Sequence, residues 1–338
     1  MKAIQITEPK IVNEVELPEP VVSPGEVKIA IKRLGLCGSD LKTYLGQNPM
    51  VSYPRIPGHE IAGIIVESGT QVPKKYRTGL SVTVSPYTSC GKCSACHKGR
   101  VNCCEYNQTM GVQRDGAAKE SITVPYKKVF IISQLSLDQI ACLEPLSVGF
   151  HAISRAEINI GEVVLIFGCG MIGIGAILAA HYRGAFVIAV DIEDHKLSRA
   201  KKLGADEIIN SSKTNLLKMV EKITNSYGPD AVIEAVGRSE TYQQAIQLVG
   251  YAGRVVYIGY CKEPVSYNTK FFVSKELDIK GSRNALDEEI RQVTNMVLES
   301  KIDFNEIITH RYPMNEMEKA LQYWSYHPEK VIKILLYL

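Results

Sequence analysis

Period-two alternation of apolar and polar residues marks the first part of the chain, as in Glu26-Val27-Lys28-Ile29-Ala30-Ile31. Ile61 to Val66 adds a continuous apolar run, and Pro and Gly punctuate the segments between such runs. This texture predicts an antiparallel, barrel-like β region. From about residue 161 it changes to short, wholly apolar runs separated by amphipathic stretches, the pattern of a parallel sheet covered on both faces. The predicted strands are Val163 to Phe167, Phe186 to Val190, Glu207 to Ile209, Ala231 to Ala235, Arg254 to Ile258 and Leu277 to Lys280. Helices are expected around Met171 to Tyr182, Lys196 to Leu203, Leu216 to Thr224 and Thr241 to Leu248. Six strands so spaced make a doubly wound α/β unit. Beyond Gly281 come two helical stretches, Asp287 to Leu298 and Asn315 to Tyr323, and a last strand from Val331 to Leu336, which should return to the first β region. The expected organisation is therefore residues 1–150 completed by 283–338, with 151–282 inserted as the doubly wound domain.

Val163 to Ala180 is uncharged and long enough to suggest a membrane helix, but glycines at 168, 170, 173 and 175 interrupt it. A buried strand, a tight turn and a helix fit better. Composition agrees with a folded chain: 45% of its 338 residues are hydrophobic and 22% charged. The net charge of +3, from 39 basic and 36 acidic residues without a basic run, argues against nucleic acid as a partner. Met1 to Lys10 lacks a signal-peptide core, so a cytoplasmic protein without membrane association is expected.

Candidate chemistry begins at the end of the first apolar strand. Gly168-Cys169-Gly170-Met171-Ile172-Gly173 is Gly-x-Gly-x-x-Gly between a strand and a helix, the context in which the motif binds a dinucleotide. Gly168 allows the turn, Gly170 admits the pyrophosphate, and Gly173 lets helix and strand approach; Ile172 lies in the same loop. Asp191 ends the second strand, 21 residues after Gly170, where a carboxylate accepts both ribose hydroxyls and repels a 2′-phosphate. That favours NAD over NADP, although His195 and Lys196 follow closely.

Nine cysteines in a chain without a secretion signal point to metal rather than disulfides. Cys90, Cys93, Cys96 and Cys104 fall within 15 residues (90 to 104), with Gly91 and Gly99 to turn the backbone. Four thiolates close a zinc site, so this lobe (88–105) should be structural. Cys103 adjoins Cys104, and both are candidates on spacing alone. Cys142, Cys169 and Cys261 read as small core residues. A second set, Cys37 with Gly58-His59-Glu60 and Glu144, offers one thiolate, one imidazole and carboxylates, a zinc site that keeps a position for substrate oxygen.

Gly35-Leu36-Cys37-Gly38-Ser39-Asp40, Gly58-His59-Glu60, the cysteine lobe and the glycine-rich turn, in this order, resemble the zinc-dependent medium-chain alcohol and polyol dehydrogenases over essentially the whole chain. Leu143-Glu144-Pro145-Leu146-Ser147-Val148 resembles the sorbitol dehydrogenase branch. Ser52-Tyr53-Pro54-Arg55, Gly99 to Glu105, Gly281-Ser282-Arg283-Asn284-Ala285 and Thr309-His310-Arg311-Tyr312-Pro313 are similar to bacterial L-galactonate and L-gulonate 5-dehydrogenases. The resemblance implies a GroES-like β domain joined to a six-stranded Rossmann sheet, with catalytic zinc on Cys37, His59 and Glu60 or Glu144. It selects Cys104 for the structural zinc, and implies NAD as hydride acceptor and assembly as a homodimer or homotetramer, with the sheet edge near Arg254 to Ile258 and Leu277 to Lys280 as the seam. The substrate it implies is a sugar acid, then a neutral polyol, then L-threonine.

By the same resemblance Ser39 would take the substrate proton, and Asp40 would sit beside His59. Lys42 stands where relatives often carry a relay histidine. Asp115-Gly116-Ala117-Ala118-Lys119-Glu120 departs from the usual Gly-Gly-Phe, which should alter packing. A substrate carboxylate would need a cation, for which Arg283 and Lys42 are the candidates, followed by Arg55 and Arg114.

Overall fold

The computed structural model describes all 338 residues, Met1–Leu338. They divide into two compact units: Met1–Glu144 with Leu286–Thr294 and Ile308–Leu338, and Pro145–Ala285 with Asn295–Ile307.

The first unit opens with a hairpin of β1 (Lys2–Glu8) and β2 (Ile11–Glu16), followed by β3 (Glu26–Leu36), α1 (Gly38–Tyr44), β4 (Glu60–Ser68) and β5 (Ser81–Val84). After the cysteine lobe with its short helix α2 (Ser94–His97) come β6 (Ser121–Pro125), β7 (Val129–Ile131), α3 (Leu137–Ala141) and the start of α4 (Leu143–Ala156), which from Pro145 on belongs to the second unit. In β3 the predicted alternation is realised, with Val27, Ile29 and Ile31 buried. They pack with Leu34, Ile61, Ile65, Val82 and Val84 into one core. Full burial of each such aliphatic side chain contributes roughly 1.5–3 kcal/mol.

In the second unit β8 (Val163–Phe167), β9 (Phe186–Asp191), β10 (Glu207–Asn210), β11 (Ala231–Glu234), β12 (Arg254–Tyr257) and β13 (Asp278–Gly281) form one parallel sheet in the order β10-β9-β8-β11-β12-β13. Each strand end lies within one residue of its predicted place. The intervening helices are α5 (Met171–Tyr182), α6 (Asp194–Lys202), α7 (Leu216–Ile223), α8 (Ser239–Leu248) and α9 (Lys270–Ser274). The strand order reverses between β8 and β11, which places the crevice for a dinucleotide at their carboxyl ends. The segment of membrane length resolves into β8, a turn and the 12-residue α5, and no helix of the protein is long and apolar enough to cross a membrane.

After α10 (Asp287–Glu299) the chain returns to the first unit with β14 (Ile308–Pro313), α11 (Met317–Tyr326) and β15 (Lys333–Tyr337). β15 pairs antiparallel with β3 and brings Ile334 opposite Leu36. β14 and β15 pair parallel, so the seven-stranded sheet is not wholly antiparallel as the alternation alone suggests. The β1–β2 hairpin and α4 are further elements that the sequence patterns do not announce.

Candidate active site

The β3–β4 register sets Gly35 opposite Glu60. A Cβ on Gly35 would stand 2.1 Å from Glu60 Oε2, so only glycine leaves room for that carboxylate. Cys37 follows β3 as the N-cap of α1, His59 immediately precedes β4, and Glu60 opens it. Gly58, with φ of +99°, makes the turn into β4 against the Leu34 side chain. Asp40 ties these segments together: its Oδ2 accepts the Cys37 N–H at 2.8 Å and its Oδ1 the Gly58 N–H at 3.2 Å. It therefore holds the backbone beside both candidate ligands, while the buried His59 Nδ1 has no hydrogen-bond partner in the protein.

Cys37 Sγ, a ring nitrogen of His59 and a carboxylate oxygen of Glu60 lie within 4.8 Å of one another, and the last two residues are buried. Glu144, 3% exposed, stands in the first turn of α4, where the helix dipole favours an anion. Its Oε1 accepts a hydrogen bond from the phenol of Tyr87, which is itself buried. On the far side of Glu60, Lys333 Nζ from β15 donates to Glu60 Oε2 at 2.5 Å and to the Leu36 carbonyl at 3.0 Å. Both partners of this ion pair are at most 2% exposed.

Burial disfavours the His59 imidazolium, but the negative charges of Cys37, Asp40 and Glu144 outweigh it and raise the pKa well above the ordinary value. Burial raises the Glu144 carboxyl, partly offset by His59 and by the Tyr87 hydrogen bond. Burial likewise pushes Lys333 down, yet Glu60 and Cys37 win and hold it charged. A cysteine sulfur, an imidazole and a carboxylate are ligands that zinc accepts, and Lys333 offsets the charge of Glu60. The donor set and the orphaned imidazole nitrogen fit that metal.

Lys333 and Tyr87 escape the sequence reading. A lone lysine inside Val331-Ile332-Lys333-Ile334-Leu335-Leu336 is a usable signal, because a charge in an apolar strand requires a buried partner. Nothing in Ser85-Pro86-Tyr87-Thr88 distinguishes Tyr87.

Ser39, in the first turn of α1, has a buried Oγ with no hydrogen-bond partner in the protein. Lys42 is exposed three residues on, on the same helix face. Arg55 is committed to Asp115 and Ser52, and Arg114 to the Gln108 and Pro86 carbonyls. The 111–117 loop packs on the turn before His59: a Cβ on Gly116 would meet the Pro57 and Gly58 carbonyls at 2.3 and 2.5 Å. Arg283 is exposed after β13 in the second unit.

Cys90, Cys93, Cys96 and Cys104 form the second group, and Cys103 is not part of it. Gly91 and Gly99 take positive φ angles of 71° and 70°, as turns around an ion require. The Cys93–Cys104 and Cys90–Cys96 sulfur pairs lie 3.9 and 4.0 Å apart. Zinc–sulfur arms of ~2.3 Å in a tetrahedron give edges of about 3.8 Å, so the lobe is already at the spacing zinc needs.

In the second unit the glycine-rich turn joins β8 to α5. A Cβ on Gly173 would lie 1.7 Å from the Gly168 carbonyl oxygen, whereas one on Gly170 would meet nothing within 4 Å. Gly170 thus keeps open space at the N-terminus of α5, and Gly173 permits the helix to close on the strand. Ile172 lies in the first turn of α5. Asp191, at the end of β9, accepts the Cys169 N–H at 2.7 Å and the Ile192 and Glu193 N–H groups at 2.8 and 3.0 Å. The ribose-reading candidate is therefore locked to the phosphate turn.

Two family models match: the alcohol dehydrogenase GroES-like domain over residues 23–134 and the zinc-binding dehydrogenase domain over 172–299. An uncharacterized zinc-type alcohol dehydrogenase-like protein of Haemophilus influenzae is 37% identical over 99% of this chain and 98% of its own. The chain belongs to the zinc-type medium-chain dehydrogenases. As a member it is a zinc-dependent alcohol or polyol dehydrogenase, an oxidoreductase that works with a nicotinamide cofactor. L-galactonate-5-dehydrogenase of Escherichia coli is 32% identical over 90% of this dehydrogenase and 89% of its own chain. A solved structure described as a short chain alcohol dehydrogenase from Escherichia coli, complexed with NADH, superposes with a TM-score of 0.93 at 30% identity, covering 100% of this chain and 99% of that one. Relatives named sorbitol dehydrogenase and L-threonine 3-dehydrogenase match at 32% and 31% identity, so substrates differ within the family.

Proposed function

We propose that this dehydrogenase oxidises a secondary hydroxyl of a sugar acid to the keto acid, passing hydride to NAD. The observation that carries the reading is the pairing, one helical turn apart on α1, of the unpartnered Ser39 hydroxyl with the exposed Lys42. Ser39 takes the proton from the substrate hydroxyl, and Lys42 faces an anionic group at the other end of the substrate. Arg283, exposed after β13, is the other cation that the sequence offers for a carboxylate. Cys37, His59 and Glu60 hold the catalytic zinc, with Glu144 completing its charge balance, and Cys90, Cys93, Cys96 and Cys104 hold the structural one. Zinc so bound supplies Lewis acidity to the substrate oxygen, lowering the cost of its deprotonation. Gly168, Gly170, Ile172 and Gly173 receive the pyrophosphate, and Asp191 selects NAD over NADP.

The identity to L-galactonate-5-dehydrogenase supports a sugar acid, and sorbitol and then L-threonine are the competing substrates. NADH formation measured with L-galactonate, L-gulonate, sorbitol and L-threonine, with and without a chelator, decides among them. We expect the highest kcat/KM on an acid, abolished by the chelator. Good turnover on sorbitol with none on either acid would remove the sugar-acid claim.

We further propose a homodimer or homotetramer in the cytoplasm. β13 ends the parallel sheet with an unpaired edge, which a second copy of the chain can extend. Sedimentation at several concentrations tests this: a monomer throughout would refute it.

A further inference from the structure

The two buried carboxylates beside Cys37 and His59 have partners of different kinds. Glu60 faces a cation, Lys333, at 2.5 Å. Glu144 accepts from a neutral donor, the Tyr87 phenol. In a low-dielectric interior this difference matters. An ammonium at contact distance offsets a carboxylate's charge, whereas a hydroxyl that donates one hydrogen bond fixes the orientation of the group that accepts it. Tyr87 is 7% exposed, so its hydroxyl depends on this bond for a partner, and the bond restrains the orientation of Glu144.

We propose that Tyr87 is a positioning residue of the Cys37–His59 metal centre: by committing its phenolic proton to Glu144 Oε1, it holds that buried carboxylate in one orientation beside the metal. Lys333 does the corresponding work for Glu60, holding its Oε2 at 2.5 Å. This rests on the zinc assignment made under Proposed function but not on the substrate, so zinc retention can fail or hold independently of the sugar-acid reading.

The test is a double-mutant cycle on the zinc-loaded enzyme with Tyr87→Phe, Glu144→Gln and the pair, dialysed against graded chelator without substrate and analysed for zinc per chain. Tyr87→Phe should release the more weakly held zinc at roughly tenfold lower chelator concentration, in the range typical of residues that orient a ligand. The second zinc equivalent, in the cysteine lobe, should stay. The double variant should be no weaker than Glu144→Gln alone, because Tyr87 acts through that carboxylate. In turnover, kcat should fall more than KM changes. Unchanged zinc retention in Tyr87→Phe, simultaneous loss of both zinc equivalents, or multiplying losses in the double variant would each overturn the proposal. If Tyr87→Phe does not fold, Tyr87→Gln and Tyr87→Met replace it: the former restores an N–H donor and should keep zinc better, and equal retention by the two would count against the proposal.

Discussion

The cysteine lobe and the Cys37 centre are two candidate zinc sites in one unit, built by opposite means. The lobe draws four like ligands from one short loop, and two glycines in left-handed conformation suffice to wrap it. Cys37 lies between β3 and α1, His59 just before β4, Glu60 at the start of β4, Glu144 in α4 and Lys333 in β15, so that centre exists only when the sheet has assembled. The lobe leaves Cys90 and Cys96 half-buried, whereas the centre hides three carboxylates, an imidazole and an ammonium behind the core. A local site can be closed and passive. One gathered from distant strands can hold unlike groups and an unpartnered hydroxyl side by side, which are the materials of catalysis.

The largest expected effect separates the two by their failures. Cys37→Ser should lower kcat by more than about 100-fold, beyond what loss of an orienting residue costs, with little change in unfolding temperature. Cys90→Ser should do the reverse, lowering the unfolding temperature while the molecules that remain folded keep their turnover. Parallel activity and melting measurements check this, and equal loss of activity in both variants would break the distinction.

Next is the ion pair that belongs to the centre alone. Lys333→Met strands Glu60 as a buried unpaired carboxylate and should destabilise the protein by about 3–5 kcal/mol in urea unfolding. Lys333→Met with Glu60→Gln should recover much of that loss. No loss in the single variant would mean that solvent reaches Glu60.

The smallest effect is a pH dependence of the zinc-stripped lobe. Hydrogen bonds from the Cys96 and Glu105 N–H groups lower Cys93 to about 6, while burial raises Cys142 to about 12. Because the folded value of Cys93 lies below that of a free thiol, its contribution to stability is full above the free-thiol pKa. It is lost as pH falls through about 6. Alkylation followed by peptide mapping should find Cys93 reactive down to that pH and Cys142 inert. A Cys93 midpoint near that of a free thiol would remove the prediction.

The apolar runs of the parallel sheet locate its strands to within a residue, because strands buried on both faces carry an unbroken hydrophobic signal. The glycine-rich turn is equally legible, since Gly168, at φ of +91°, and Gly173, packed on the Gly168 carbonyl, answer local demands of the backbone. β1, β2 and α4 are less so: their residues are neither wholly apolar nor strictly periodic, and long-range packing decides them. At the candidate centre the same division holds. Cys37, Ser39, His59, Glu60 and Glu144 are found by motif, yet Tyr87 carries no sequence signal and Lys333 only a weak one.

By itself, then, the sequence determines whatever is encoded within a few neighbouring residues: the strand and helix periods, the turn at Gly168 to Gly173 and the spacing of the four thiols. Tertiary structure alone decides that Asp40 holds the backbone at Cys37 and Gly58, that Lys333 pairs with Glu60 and that Tyr87 pairs with Glu144. The physical reason is that such partners are chosen by burial. A charged or polar group taken out of water must meet whichever donor or acceptor the fold brings beside it, and that residue can lie anywhere in the chain.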